Sequence, residues 1–461
     1  MADATTTPVQ GPLGRTYLEV TLAVLALVTI VAFEAMAVST AMPAVARDLD
    51  AVRSYGFAFS VMLTAQLLGI VLAGVWSDRS GPMVGAVTGQ VLLAAGAAMC
   101  GFAANLPLFL AGRALTGLGG GLLVVMLYVI AGRVYPEAIR PRLFTYVSAA
   151  WVLPSLLGPP VSAWLTTNLS WRWVFWGVVP PVLITLAVLS HARRRIDDST
   201  LTEAVSSRDH SAHVRTAWAG LGIALSAGAL QLGTYELVLT LSPRTGLAVL
   251  GLVGIVLTAP MLVPPGTWRM ARGLPSVMLA RALYIGAFYA SITYVPLFLV
   301  GQRGLTLQLA GLALAVGAIG WAAGAWYQGH DHLHLPRYRL VEVGGALLAG
   351  GLGVLSAVAW LGLAWWIVPI TLVVAGVAMG LGVTTTTVLA LELSPVEEHG
   401  AASSSLQLAD VLGSVLGIAA ATAAFAAWHD PGHDDALFGA IFLGLALVAA
   451  VAVPAGQHIR S

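Results

Sequence analysis

The sequence predicts an all-α integral membrane protein, and three observations carry that expectation. Of 461 residues, 58% are hydrophobic and only 9% charged, against about 25% charged in soluble domains. The mean hydropathy is +0.87. Apolar runs long enough to cross a hydrocarbon core, about 20 residues for about 30 Å, recur fourteen times between charged or Gly/Pro-rich breaks.

In chain order, the first run, 17–44, lies between Arg15 and Arg47, and the second, 55–76, between Arg53 and Asp78-Arg79. The third, 83–103, follows Gly81-Pro82; the fourth, 107–131, stops at Arg133; the fifth, 143–166, starts after Arg142; the sixth, 173–190, runs from Arg172 to His191. Two more, 216–238 and 245–264, lie between Arg215 and the Pro264-Pro265 break. The last six are 277–300, 306–328, 339–361, 366–391, 401–427 and 436–454. Arg15 ahead of an apolar stretch and Ala44-Val45-Ala46 imitate a signal peptide, but the segment exceeds a secretory core and carries Glu34, so a retained span is expected.

All 22 basic residues are Arg. With the N-terminus inside, fifteen fall on inner segments and only Arg47, Arg53, Arg172, Arg244 and Arg303 on outer ones. The positive-inside rule then places both termini in the cytoplasm. The Arg-only usage, with abundant Ala, Gly and Val, suggests a GC-rich bacterial genome and hence a bacterial plasma membrane. The polar stretch 191–215, with Arg193-Arg194-Arg195, reads as a cytoplasmic linker. The expected organisation is a six-helix bundle over 1–190, that linker, two inserted helices over 216–264, and a second six-helix bundle over 265–461.

Composition also excludes. Cys100 is the single cysteine, so neither a disulfide framework nor a thiolate metal cluster is available. A net charge of +1 without a basic, aromatic-interleaved face argues against nucleic acid. No Walker loop, haem motif or nucleophile elbow occurs, against an ATP-driven pump or a hydrolase. His330-Asp331-His332-Leu333-His334 and His429–Asp435 carry metal-ligand types at spacings that match no known site, so solvated loops and no metal are expected.

Ionisable residues inside spans are costly and mark function by default. Glu34 lies 17 residues beyond Tyr17, roughly 25 Å at 1.5 Å per residue, and Arg113 roughly 10 Å from the opposite face. Their similar depths predict a pair, read either as a proton-handling couple, which is favoured, or as a permanent lock between two helices. Asp410, roughly 15 Å into its span, reads as a second protonation or cation-binding group, or as a carboxylate held by hydroxyls such as Ser414. Arg281 and Glu236 are expected to snorkel toward the interfaces. Gln66, Gln90, Tyr128, Gln231, Tyr294 and Gln407 read as cavity-lining groups or as helix–helix hydrogen bonds. Met36, Met62 and Trp151 would add an adaptable apolar surface.

Several short motifs share one resemblance. Gly74-Val75-Trp76-Ser77-Asp78-Arg79-Ser80-Gly81 resembles the Gly-x-x-x-Asp-Arg-x-Gly loop between the second and third helices of major facilitator superfamily transporters, with Pro82-Met83 in place of the usual basic residues. Arg113-Ala114-Leu115-Thr116-Gly117 resembles that family's fourth-helix motif, and Gly158-Pro159 the end of its antiporter motif. Trp171-Arg172-Trp173 with Pro180, and Glu34 nine residues before Pro43, are similar to motifs of its drug:proton antiporters; Gly400–Gly417 resembles a glycine-spaced later helix. With two helices inserted between the halves, the resemblance is to the fourteen-span subfamily.

That resemblance implies two six-helix bundles rocking in alternating access around a midplane cavity. It implies efflux of lipophilic or amphipathic small molecules against inward proton flow, coupled through Glu34, Arg113 and Asp410. Gly74, Asp78, Arg79, Gly81, Gly158 and Pro159 would serve the conformational change. Met36, Met62, Gln66, Tyr128, Trp151, Tyr294 and Gln407 would line the cavity. Partners are then lipid, substrate and protons; no cofactor beyond the proton gradient, no enzymatic reaction and a monomer are expected. The alternatives are export of one endogenous metabolite or lipid, and a transport-inactive sensor on the same fold.

Overall fold

The computed structural model describes residues 11–136, 139–200, 210–234, 243–261, 263–328, 335–395 and 399–460, and among these it contains helices and no strand. They are α1 (Leu18–Asp48), α2 (Tyr55–Phe102), α3 (Leu106–Val134), α4 (Arg140–Asn168), α5 (Arg172–Trp176), α6 (Val179–Thr200), α7 (His210–Thr234), α8 (Pro243–Thr258), α9 (Leu274–Gly301), α10 (Leu307–Gln328), α11 (Arg337–Trp360), α12 (Ile367–Glu392), α13 (His399–Trp428), α14 (Asp435–Ala450) and α15 (Ala452–Gln457). A helix satisfies its own backbone polar groups, which is what a chain this apolar requires in hydrocarbon. Local signals set some ends: the Asn105 side chain caps α3 by accepting from the Leu108 N–H at 3.0 Å, with proline just inside that helix.

Among the described residues, twelve helical segments are long and apolar enough to cross a membrane. The expected spans 143–166 and 216–238 correspond to α4 and α7, 29 and 25 residues long, which are not among those twelve. The described parts of the expected linker 191–215 are helical: α6 continues to Thr200 and α7 begins at His210. Charged residues end a span without ending a helix, because Arg and Asp are tolerated by helical backbone once it leaves the hydrocarbon.

The Gly74–Gly81 stretch, expected as a loop, is assigned helical within α2. The chain nevertheless reverses there. Both Gly69 and Gly89 face residues 118–123 of α3, yet 20 residues of straight helix would hold them about 30 Å apart. Two spans, Val52–Ala73 and Pro82–Phe102, therefore flank α3 on either side of the reversal. The side chains of Gly74, Asp78, Arg79 and Gly81 lie outside the described residues, as do Glu236 and the His330–His334 cluster.

Helices α1 to α6 pack on one another through α2–α3, α1–α4 and α1–α6 contacts, and α9 to α15 through α10–α12, α11–α14 and α9–α13. Helix α7 pairs with α8 and also touches α2 and α13. The start of α1 and the end of α15 lie at one end of the molecule, here the terminal end. Tyr17 meets Tyr135 there at 5.2 Å between rings, and the Gly273 N–H donates to His458 O at 3.1 Å. At the opposite, far end the two groups of helices touch. Tyr55 and Tyr294 rings are 5.6 Å apart, and Gly311 of α10 is so close that a Cβ there would lie 3.0 Å from Pro159 O. Gly56 is tighter still: a Cβ would fall 2.0 Å from the Thr422 hydroxyl, so only glycine permits this approach.

Candidate functional site

Two arginine–carboxylate pairs lie within the spans. Glu34 of α1 and Arg113 of α3 form the first, at 1% and 2% side-chain exposure. Arg113 Nη1 donates to Glu34 Oε1, Nε to Ala58 O at 3.3 Å, and Nη2 to the Met62 sulfur at 2.8 Å. This places Met62 in the wall of the ion pair, 8% exposed, and not on an open cavity as expected. With the charges satisfied and water excluded, the pair ties α1, α2 and α3 together.

The second pair links α9 to α13. Arg281 Nε and Nη2 donate to Asp410 Oδ1 and Oδ2 at 2.5 and 2.8 Å, a bidentate fork. Arg281 Nη1 donates to Val383 O at 2.6 Å and to the Thr387 hydroxyl at 3.0 Å, so α12 holds the guanidinium as well. Arg281 therefore does not snorkel. It sits seven residues inside α9, where the Asp410 carboxylate and the α12 acceptors are within reach of its guanidinium. Ser414, expected as a partner of the Asp410 carboxylate, donates instead to the Asp410 backbone carbonyl at 2.9 Å. An i, i+4 hydroxyl reaches the carbonyl one turn back.

Side-chain exposure separates the pairs: Asp410 is 28% exposed and Arg281 11%. Tyr128 of α3, itself 48% exposed, and the neighbouring Tyr289 of α9 are within electrostatic reach of both. Tyr128 and Trp151 also line a hollow of about 70 Å³ with Val28, Leu127 and Val147. These residues lie in the terminal-end portions of their helices, away from the far-end contacts of Tyr55 with Tyr294 and of Pro159 with Gly311.

Other expected site residues fall elsewhere. Tyr294 is fully buried, donates to the Thr422 hydroxyl at 3.3 Å, and belongs to the far-end closure with Tyr55, not to a cavity wall. Met36, Gln66 and Gln407 are half-buried; Met36 packs at Gly158, where a Cβ would stand 3.4 Å from its own Cβ. Gly158 and Pro159 thus face two ways, the glycine onto α1 and the proline carbonyl onto Gly311 of α10. The His429–Asp435 segment is not simply a solvated loop. His429 Nδ1 lies 2.6 Å from Asp434 Oδ2, both are largely buried, and the imidazole stacks on Phe425. Among the described residues no group of His, Cys, Asp and Glu is arranged to hold a metal.

The sequence reading passed over Arg281 as a partner for Asp410, with Thr387 behind it, and Asp48, whose carboxylate accepts from Trp171 Nε1 and Arg172 Nη1, both at 3.0 Å. The seven-residue offset of Arg281 from its helix start, equal to that of Arg113 in α3, was a usable signal.

Among the described residues, twelve helices long and apolar enough to cross a membrane, with arginine–carboxylate pairs sunk in them, define the class of polytopic membrane proteins. The family model for the Major Facilitator Superfamily matches residues 24–418, and the chain belongs to that superfamily. It is 26% identical over 449 residues to an uncharacterized MFS-type transporter of Mycobacterium tuberculosis (strain ATCC 25618 / H37Rv), covering 91% of this chain but 60% of that protein. The chain thus spans about three-fifths of that relative's length. It is 24% identical over 399 residues to the multidrug transporter protein MdtP of Bacillus subtilis (strain 168), covering 84% of this chain and 71% of that one. Among solved structures, the peptide transporter POT in complex with sulfate superposes with a TM-score of 0.70 at 16% identity over 99% and 98% of the two chains. A D-xylose-proton symporter gives 0.62 at 15% identity over 96% and 99%. At those identities the likeness is one of fold.

Proposed function

We propose that the chain exports lipophilic or amphipathic small molecules in exchange for protons, as a fourteen-span monomer of the bacterial plasma membrane with both termini in the cytoplasm. In this reading α4 and α7 are the remaining two spans, α7 and α8 are inserted between six-helix halves, and the arginine bias puts the terminal end inside. The structure is then the inward-open state.

The observation that carries the proposal is the unequal access of the two carboxylates. Asp410 is 28% exposed and lies in the terminal-end half of α13, so in this state it can release its proton and face an incoming substrate. Glu34, sealed against Arg113, is positioned to exchange its proton only when the far end opens. Substrate and proton would then compete for alternate states, and a ligand shifts such an equilibrium only through its differential affinity. The driving force is about 2.3 kcal/mol per charge per 100 mV, added to the pH gradient. Relatives named as a multidrug transporter and as a multidrug efflux pump support the substrate class.

The test is substrate-driven proton movement in proteoliposomes, using a panel of fluorescent lipophilic cations and neutral amphiphiles. Wild type is expected to move protons with at least one of them, and Asp410→Asn and Glu34→Gln each to abolish that movement. Full coupling in both variants would sink the proposal. Loss in Asp410→Asn alone would make Glu34 a lock and leave coupling to Asp410.

A further inference from the structure

We propose that the groove between α9, α13 and α14 binds one acyl chain of an anionic glycerophospholipid from the terminal-end leaflet, with its headgroup held by Arg269 and Arg272. The groove has a volume of about 470 Å³ and is walled by small and apolar residues, among them Met278, Gly286, Gly417, Ala420 and Gly444. Asp410 is not among its lining residues. A Cβ on Gly413 would lie 2.2 Å from Ala282 O, and one on Gly417 2.3 Å from Gly286 O. The backbones of α9 and α13 therefore touch along this seam, and nothing the size of a substrate passes between them.

Charge selects the occupant and the leaflet. The groove's terminal-end rim is the connector into α9, where Thr267 is buried and Trp268 is 46% exposed. Arg269 and Arg272 flank that rim, both exposed, and among the described residues neither has an acidic partner. A tryptophan beside two arginines is the composition of a headgroup contact. At the far end, by contrast, the Arg303 guanidinium is already engaged by Asp435 at 2.8 Å. An anionic headgroup is therefore attracted at the terminal-end mouth.

Gly444 makes the proposal testable without disturbing the fold, because a Cβ there meets nothing within 4 Å although the residue lines the groove. The full chain in mild detergent would be titrated with phosphatidylglycerol or phosphatidylcholine of identical acyl chains and read by native mass spectrometry. One phosphatidylglycerol per chain is expected, preferred about tenfold, the scale of basic residues at a headgroup. The Arg269→Gln/Arg272→Gln variant should lose the preference. Gly444→Leu, and Ala420→Leu as a second plug, should weaken both lipids. Gly350→Leu, equally open but on α11 outside the groove, should change neither. Equal binding of the two lipids by wild type, undiminished phosphatidylglycerol on both plugged variants, or a second copy of the chain in place of lipid would each overturn the assignment.

Discussion

The two intramembrane ion pairs use the same residue types and differ in what surrounds them. In each, the arginine lies seven residues inside its helix, but α3 starts at the far end and α9 at the terminal end. Arg113 and Glu34 therefore sit toward the far end and are buried, whereas Arg281 and Asp410 sit toward the terminal end, with the carboxylate the more exposed partner. The guanidinium is the anchored member of the second pair, held by the Val383 carbonyl and Thr387 on α12. An arginine–carboxylate pair in a membrane is thus a lock or an exchangeable site according to its access, not its chemistry.

The comparison breaks first, and hardest, at Glu34. Glu34→Gln leaves the Arg113 guanidinium buried without its counter-charge, and removing one partner of a buried pair costs about 3–5 kcal/mol. Thermal unfolding in detergent should show the largest loss of any single change discussed here. Adding Arg113→Met should recover most of it, since apolar replacement of a whole buried pair is often neutral. A double variant as unstable as Glu34→Gln would mean that the residues act separately.

Asp410→Asn should cost less, about 1–3 kcal/mol, because Arg281 keeps its α12 partners and the Asp410 side is already 28% exposed. The same denaturation series measures it. A loss equal to that of Glu34→Gln would remove the distinction between the pairs. Asp410→Cys should react with a water-soluble maleimide while Glu34→Cys stays protected, which sharpens the distinction by reading access directly.

How much of this was legible follows the range of the interactions. Twelve of the fourteen expected spans were, because hydrophobic length is a local property of about 20 residues. Glu34 and Arg113 were, because both depths can be counted from a helix start. Asp410 was found without its partner, since Arg281 begins a span and reads as an interfacial residue until α9 and α13 are seen back to back. Tyr294 and Met62 were placed on a cavity wall because sequence marks polarity and softness but not which way a helix is turned. The reversal between Gly69 and Gly89 was expected, whereas the helical backbone that makes it was not.

The smallest expected effect is at Asp48 and Arg172, a third pair that serves as the aqueous reference. Its side chains are 48% and 36% exposed, and Asp48 Oδ2 accepts from both Arg172 Nη1 and Trp171 Nε1. Asp48→Asn keeps an oxygen for the Trp171 indole and removes only the charge. Exposed pairs contribute about 0.2–1 kcal/mol, and salt near 1 M shortens the screening length to about 3 Å. The variant should therefore lose less than about 1 kcal/mol at low salt and be indistinguishable from wild type at high salt, whereas the Glu34→Gln loss should not change with salt. If Asp410→Asn followed Asp48→Asn in its salt response, Asp410 would be facing bulk water and not a confined cavity. If it held its full cost at high salt, the cavity would be shielding the pair as the far end shields Glu34.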